Sequence, residues 1–513
     1  MLKLARLLLI ISILTVFTAC GKNNPGTTAD KPATSQPVQE SGKVEESQKP
    51  NEGPLDSNPI EDSKKLREMM PKLQKDIKKV LIDDARKLWP SFNTADKQIL
   101  LLNPSNKMGY LINNQKSDIG SKDEVIEYNT DSIKDVQLLV TPFQLTTFND
   151  HPTYVFNVDA ASYFGIMSGD QAYEKLLKFI VHEGVHLLLQ KGGETAEGMG
   201  SRAETYPESV DSRYYRNEMY HYLKEAALSA NKEDKIDRIQ KAVYFYDLYL
   251  KEDQTNKSQD PYDNIEGMAT YLEEKAFQML THPNASAAEL NTLIAQGIIN
   301  NAPMTDDNML LPKPMEFYNI GGLGIACAVE LGLDPNAIFT TSPLSLLKSK
   351  FGSKNAEGHA DVKQQNNIFY TNYNQELKSY VDDITSKMND DQYAAVKVPI
   401  TAKNSGGQFT KFIQYEYKGK PAEIQGVSRE VVIGDLRIKF TNLKTIFVMN
   451  PVPAPSKNGP MDLDEVMGYS IAYVPKKDIQ ISKDNLLTIQ RDDLMIFDAK
   501  YELKDGEYQI LAN

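Results

Sequence analysis

One short segment restricts this chain more than any other. Residues Phe179–Gln190 read FIVHEGVHLLLQ, and inside that apolar run stand His182, Glu183 and His186. Helical spacing puts the two imidazoles, four residues apart, on one face about one turn from each other, as a metal chelate requires. Burying two imidazoles and a carboxylate among Phe179, Ile180, Val181, Val185, Leu187, Leu188 and Leu189 costs several kcal/mol unless something pairs them, and Zn²⁺ would. Glu183 holds the general-base position of the H-E-x-x-H pattern. The chain has only 6 His, so chance seldom produces this arrangement. The bland alternative, three polar residues on a partly exposed helix, fits the apolar surroundings poorly. The helix is expected over Gln171–Gln190, with Ser168 or Asp170 as N-cap and Gly192-Gly193 as its stop.

A catalytic zinc site needs a third protein ligand and an open position. The extended H-E-x-x-H-x-x-G-x-x-H pattern is absent, because Leu189, Gln190, Lys191 and Gly192 follow and no third His is near. Downstream, Asn264–Glu273 reads NIEGMATYLE. Taken alone, Glu266 is either a ligand or, with Asp263 three residues before it, part of a capping-box pattern. His221, inside the long Lys191–Ile265 stretch, is the other candidate ligand.

Glu266, Gly267, Ala269, Tyr271 and Glu273 match, position by position, an N-E-G-F-A-x-Y-x-E motif, with Ile265 and Met268 in place of its Asn and Phe. Here the chain resembles the gluzincin metallopeptidases, particularly aminopeptidase-N-like members. The resemblance implies a thermolysin-like core: a small sheet, the H-E-x-x-H helix, and a second helix supplying Glu266 as third ligand. It also implies hydrolysis of peptide bonds by zinc-activated water, with Glu183 as the base and a Tyr from a later helix steadying the oxyanion. Tyr318, which opens YNIGGLGIACAVELGL, is the candidate donor, ahead of Tyr271 and His221. Gly321, Gly322 and Gly324 would let its helix approach another closely, and Cys327 within it reads as core. Thr270 stands where thermolysin has an Asp, so no residue is assigned as outer partner of a zinc imidazole.

The first twenty residues, MLKLARLLLIISILTVFTAC, read as a secretory signal: Lys3 and Arg6, an apolar run from Leu7 to Phe17, then Thr18-Ala19 before Cys20. That ending resembles the bacterial lipoprotein signal, which implies lipid on Cys20 and attachment to the extracytoplasmic face of the cell membrane. Residues 21–62 have almost no large apolar side chain and read as a disordered tether with a reach of roughly 35 Å. The net charge of −13, with 70 acidic against 57 basic residues, argues against nucleic acid as a partner.

The expected fold class is α+β. Residues 63–390 form the helix-dominated zincin core, with helices over Lys64–Leu88, Arg213–Ala230, Asp234–Lys251, Asp263–Leu280, Tyr318–Leu333 and Asn374–Met388. Strands are expected at Gln98–Leu102, Gly109–Ile112, Val136–Val140 and Thr153–Val158. Residues 391–513 form a β-rich accessory domain, with runs at Ala395–Thr401, Gln408–Tyr417, Glu430–Phe440, Thr445–Met449, Tyr469–Val474 and Met495–Tyr508, the last carrying a hairpin signal at Asp505-Gly506. The expected function is a lipid-anchored zinc metallopeptidase acting on peptide or protein substrates. The alternative is a non-catalytic surface-binding lipoprotein that retains a zincin core and works through its β domain. An intact Glu183 favours the enzyme.

Overall fold

The computed structural model describes residues 59–115, 125–134, 138–139, 142–159, 171–190, 204–305, 309–401, 408–450 and 466–511. The expected Met1–Cys20 signal, the expected lipidation site Cys20, the expected tether up to Asn58, and the expected cap and stop residues Ser168, Asp170 and Gly192-Gly193 lie outside them. The α+β class holds, and no described helix is long and apolar enough to cross a membrane.

Helix α1 (Pro59–Lys78) begins one turn ahead of the expected start. Its apolar stripe, Leu66, Met70, Leu73 and Ile77, is buried at helical spacing. A π turn over Lys79–Asp83 then brings Val80 and Leu81 into the core together, before α2 (Ala85–Leu88). Five strands follow: β1 (Gln98–Asn103), β2 (Met108–Ile112), β3 (Ile126–Tyr128), β4 (Phe143–Phe148) and β5 (His151–Asn157). They form one sheet in the order β3-β2-β1-β5-β4, with β1 parallel to β5 and the other neighbours antiparallel.

Strand β1 is buried along its whole length. Ile99 and Leu101 face the helices, while Leu100 and Leu102 pack with Leu111 and Val155 on the opposite face. A strand covered on both faces reads as a continuous apolar run. The turn between β4 and β5 is Asn149-Asp150, both at positive φ (51° and 66°), the conformation a two-residue hairpin favours and Asn and Asp tolerate. Leu138 and Leu139, expected in a strand, are helical; Leu138 joins the second cluster from the side instead of pairing with the sheet.

Helix α3 (Ala172–Gly184) leads into a π turn at Val185–Leu189. Then come α4 (Val210–Leu228), α5 (Lys232–Glu252), α6 (Asp260–Thr281), α7 (Ala287–Asn300), α8 (Lys313–Glu330), α9 (Pro335–Thr340), α10 (Pro343–Phe351) and α11 (Ala360–Asn389). Side chains of Ser209, Asn231 and Ser286 accept backbone N–H bonds at the starts of α4, α5 and α7. One hydrophobic core joins α1, the inner sheet face and the helices through α10.

The remaining strands are β6 (Tyr393–Thr401), β7 (Gln408–Tyr417), β8 (Lys420–Ile433), β9 (Leu436–Met449), β10 (Val466–Pro475), β11 (Ile479–Ile481), β12 (Leu487–Gln490), β13 (Leu494–Ala499), β14 (Tyr501–Lys504) and β15 (Glu507–Ile510). They make one sheet, β11-β12-β13-β9-β10-β6-β15-β14, with β8 also on β9 and β7 on β8. The expected single run Glu430–Phe440 is two strands, because Gly434-Asp435 turns the chain back on itself. Asp505-Gly506 is a hairpin turn as expected, with both residues at positive φ (50° and 77°). Leu377 and Ile384 of α11 pack against Ile413, Ile424, Ile446 and Ile471 on one face of this sheet.

Candidate metal centre

Helix α3, which with its π turn carries the His pair, is seated against β5. The Tyr154 hydroxyl of β5 donates to the Ile180 carbonyl at 2.9 Å, and Gly184 packs close to that ring, where a Cβ would come within 3.2 Å of it. The π turn that follows has a physical signature: the Gln190 N–H donates to the Val185 carbonyl at 2.9 Å, five residues back. His182, Glu183 and His186 are all buried, at 7%, 1% and 1% exposure.

Helix α6 brings Glu266 to them. One ligand atom from each of His182, His186 and Glu266 lies within 4.8 Å of the other two. His182 Nε2 and His186 Nε2 stand 3.3 and 3.4 Å from Glu266 Oε2. The outward ring nitrogens are also held: His182 Nδ1 lies 2.7 Å from Glu273 Oε2, and His186 Nδ1 lies 2.6 Å from Gln190 Oε1. Gln190 Nε2 in turn donates to the Ile265 carbonyl at 3.0 Å. These outer contacts favour protons on both Nδ1 atoms, so both Nε2 atoms converge on one carboxylate.

That convergence is the test of whether these residues fit a metal. Buried His186 Nε2 has no hydrogen-bond partner, and its lone pair facing the Glu266 carboxylate is repelled unless a cation lies between them. The local field agrees. Burial disfavours a charged His182, yet the carboxylates of Glu273, Glu266 and Glu183 outweigh it and hold that imidazole well above its ordinary range. Two imidazoles and a carboxylate are the donor set of a three-ligand zinc site.

Glu183 points one buried oxygen, Oε2, at no hydrogen-bond partner. Burial pushes its carboxyl up to about 7, against the pull of His186 and His182. Tyr318 is at the site as well. Its ring stacks on His182, centroids 5.7 Å apart and planes 27° from parallel. A close approach of two helices places it there: a Cβ on Gly267 of α6 would sit 2.4 Å from the Gly321 carbonyl carbon of α8, and one on Gly321 would sit 2.0 Å from the Asp263 carbonyl oxygen. The glycines thus act as the sequence suggested.

The other candidates are elsewhere. The His221 ring nitrogen Nε2 is 2.8 Å from the Met309 carbonyl, and the ring packs near His359 instead of joining the cluster. Glu266 is no helix cap, since α6 begins at Asp260 and Glu266 lies in its second turn. Tyr271 is fully buried, edge-on to Trp89. Cys327 is a buried free thiol that burial pushes up to about 12.

Sequence reasoning missed Gln190, the role of Glu273, and Arg216. Arg216, 1% exposed on α4, grips Asp263 through two hydrogen bonds of 2.6 and 2.7 Å, with Glu316 3.3 Å from its Nε. Asp263 is three residues before Glu266, and Glu316 two before Tyr318. The long Lys191–Ile265 stretch therefore supplies a buried cation that ties the Glu266 helix to the Tyr318 helix. An Arg in a polar helix carries no local sign of such a role. No protein family, curated protein or solved structure matches this chain.

Proposed function

We propose that this chain is a zinc-dependent metallopeptidase of gluzincin type, with a thermolysin-like core in residues 63–390 and an accessory β-rich domain in 391–513. Lipid on Cys20 holds it at the extracytoplasmic face of the cell membrane. The observation that carries the proposal is the buried convergence of His182, His186 and Glu266, with Glu183 on the same helix turn.

His182, His186 and Glu266 would hold the ion. Bound there, Zn²⁺ polarises a peptide carbonyl and acidifies water. The chain's own groups supply the proton traffic. Glu183, with its carboxyl pushed up to about 7, both accepts and releases a proton near neutrality, so it takes one from the attacking water and passes it to the departing amine. The Tyr318 hydroxyl is the donor assigned to the oxyanion, its ring aligned by the stack on His182.

The test separates ligand from base. Wild-type protein should carry one Zn²⁺ per chain and cleave members of a peptide library. His186→Ala should lose the metal, whereas Glu183→Gln should keep it and lose cleavage. Stoichiometric zinc in His186→Ala would overturn the assignment. Full cleavage by Glu183→Gln would remove the catalytic role of Glu183, and zinc-loaded wild type that cleaves nothing would favour a surface-binding lipoprotein.

A further inference from the structure

Gln190 occupies an unusual position. It is 6% exposed, it ends the π turn of the zinc-type helix, and its amide spans two elements. One end faces His186 Nδ1 at 2.6 Å, and the other faces the Ile265 carbonyl, the peptide immediately before Glu266, at 3.0 Å. An amide nitrogen can only donate and a carbonyl oxygen can only accept. The Ile265 carbonyl therefore fixes Nε2 on its own side and turns Oε1 toward His186. Facing an acceptor at 2.6 Å, His186 must carry its proton on Nδ1.

The consequence lies on the far side of the ring. His186 Nε2 is left with a lone pair aimed into the ligand cluster, 3.4 Å from Glu266 Oε2. Were the Nδ1 acceptor absent, the proton would gain most by moving to Nε2 and bonding to Glu266, and it would then occupy the direction a metal needs. Glu273 performs the matching service for His182 with a carboxylate, from α6 to the α3 ring. Gln190 differs in using both polar ends of one side chain, one on a ligand ring and the other on the peptide before Glu266.

We infer that Gln190 is a positioning residue that fixes His186 in its Nδ1–H tautomer and latches α3 to the turn of α6 carrying Glu266. The π turn is part of the device. With the Gln190 N–H bonded five residues back to Val185, the helix is widened by one residue where Gln190 must meet both His186 and Ile265. Outer hydrogen-bond partners of metal-bound His commonly change affinity by about 10–100-fold.

The inference rests on the metal reading of the site, and the experiment separates the two. Gln190→Met preserves length and removes both polar ends; Gln190→Glu keeps an acceptor for Nδ1–H and loses the donor to Ile265. Full-length chain labelled with ¹⁵N-histidine reports the His186 tautomer directly, in the metal-free protein. Wild type and Gln190→Glu should show Nδ1–H, and Gln190→Met should shift His186 toward Nε2–H. In chelator competition with Zn²⁺ alone, Gln190→Met should bind about 10–100-fold more weakly than wild type. An unchanged tautomer in Gln190→Met overturns the inference, and so does unchanged zinc affinity with only a lower melting temperature, the result a purely structural contact would give. If wild type itself binds no zinc, the metal reading fails, and the tautomer measurement still decides the role of Gln190.

Discussion

At the scale of single residues, the polar groups of the cluster are ordered by what each one faces. Glu266 faces both imidazoles, whereas His221 faces a backbone carbonyl. Glu266→Ala should therefore strip the metal and abolish cleavage, and His221→Ala should leave zinc content unchanged; the reverse pattern in metal analysis would make a His the third ligand. Glu273, which sequence reasoning left without a role toward the metal, bonds His182 Nδ1, so Glu273→Ala belongs with affinity losses of about 10–100-fold and not with loss of the site. A second titratable cluster affects stability. Glu218 at 2.7 Å and Glu225 at 3.1 Å hold the His359 imidazole up to about 9. A raised folded-state value means its stabilisation is complete below the ordinary imidazole range, about 6.5, and fades as pH rises through about 9. The melting-temperature gap between wild type and His359→Gln should accordingly be widest in mild acid and close by about pH 10. A gap that does not change with pH would rule out the ionised pairing.

At the scale of elements, the periodic helices and the apolar strands were legible because a buried stripe repeats at 3.6 residues and a doubly covered strand runs apolar throughout. The two π turns were not, since one inserted residue barely alters such a stripe. Helices α7, α9 and α10 also went unnoticed, the last two being short, at 6 and 9 residues. The contact of α6 with α8 was legible only as a run of glycines; the partner glycine, Gly267, became identifiable when the backbones met. Gly321→Ala measures that contact. Ala is worth about 1 kcal/mol over Gly inside a helix, but overpacking costs about 1–3 kcal/mol. With the Asp263 carbonyl 2.0 Å from the new methyl and backbone unable to move aside, the net should be destabilising. Turnover should fall further than zinc content, because Tyr318 moves with α8. A more stable variant with full turnover would show that the seam is loose.

At the scale of the whole molecule, α11 belongs to two packing systems: Val362 lies in the main core, and Leu377 and Ile384 lie against the C-terminal sheet. Glu204, just ahead of α4, also pairs its backbone with β7, bonding the Phe412 carbonyl at 2.8 Å and the Gln414 N–H at 2.7 Å. The change of texture after Asp391 marks where strands begin, while the packing runs across it. The proposed attachment to a membrane belongs to the entire chain. Cys20→Ser should release the protein from the membrane fraction or leave it unprocessed, and a processed, unlipidated mutant still found with membranes would reveal another anchor. The sequence alone determined what is local: an i, i+4 pair of His with Glu183 between them, an apolar helix around them, an acidic motif downstream, and a lipoprotein-like start. Those signals survive in one dimension because helix geometry and residue chemistry act over a few neighbours. Only the tertiary structure decided that Glu266 and not His221 joins the His pair, that Glu273 and Gln190 orient the two rings, and that Arg216 binds the two helices behind them. Each of those contacts joins residues brought together by packing, and packing leaves no spacing to read.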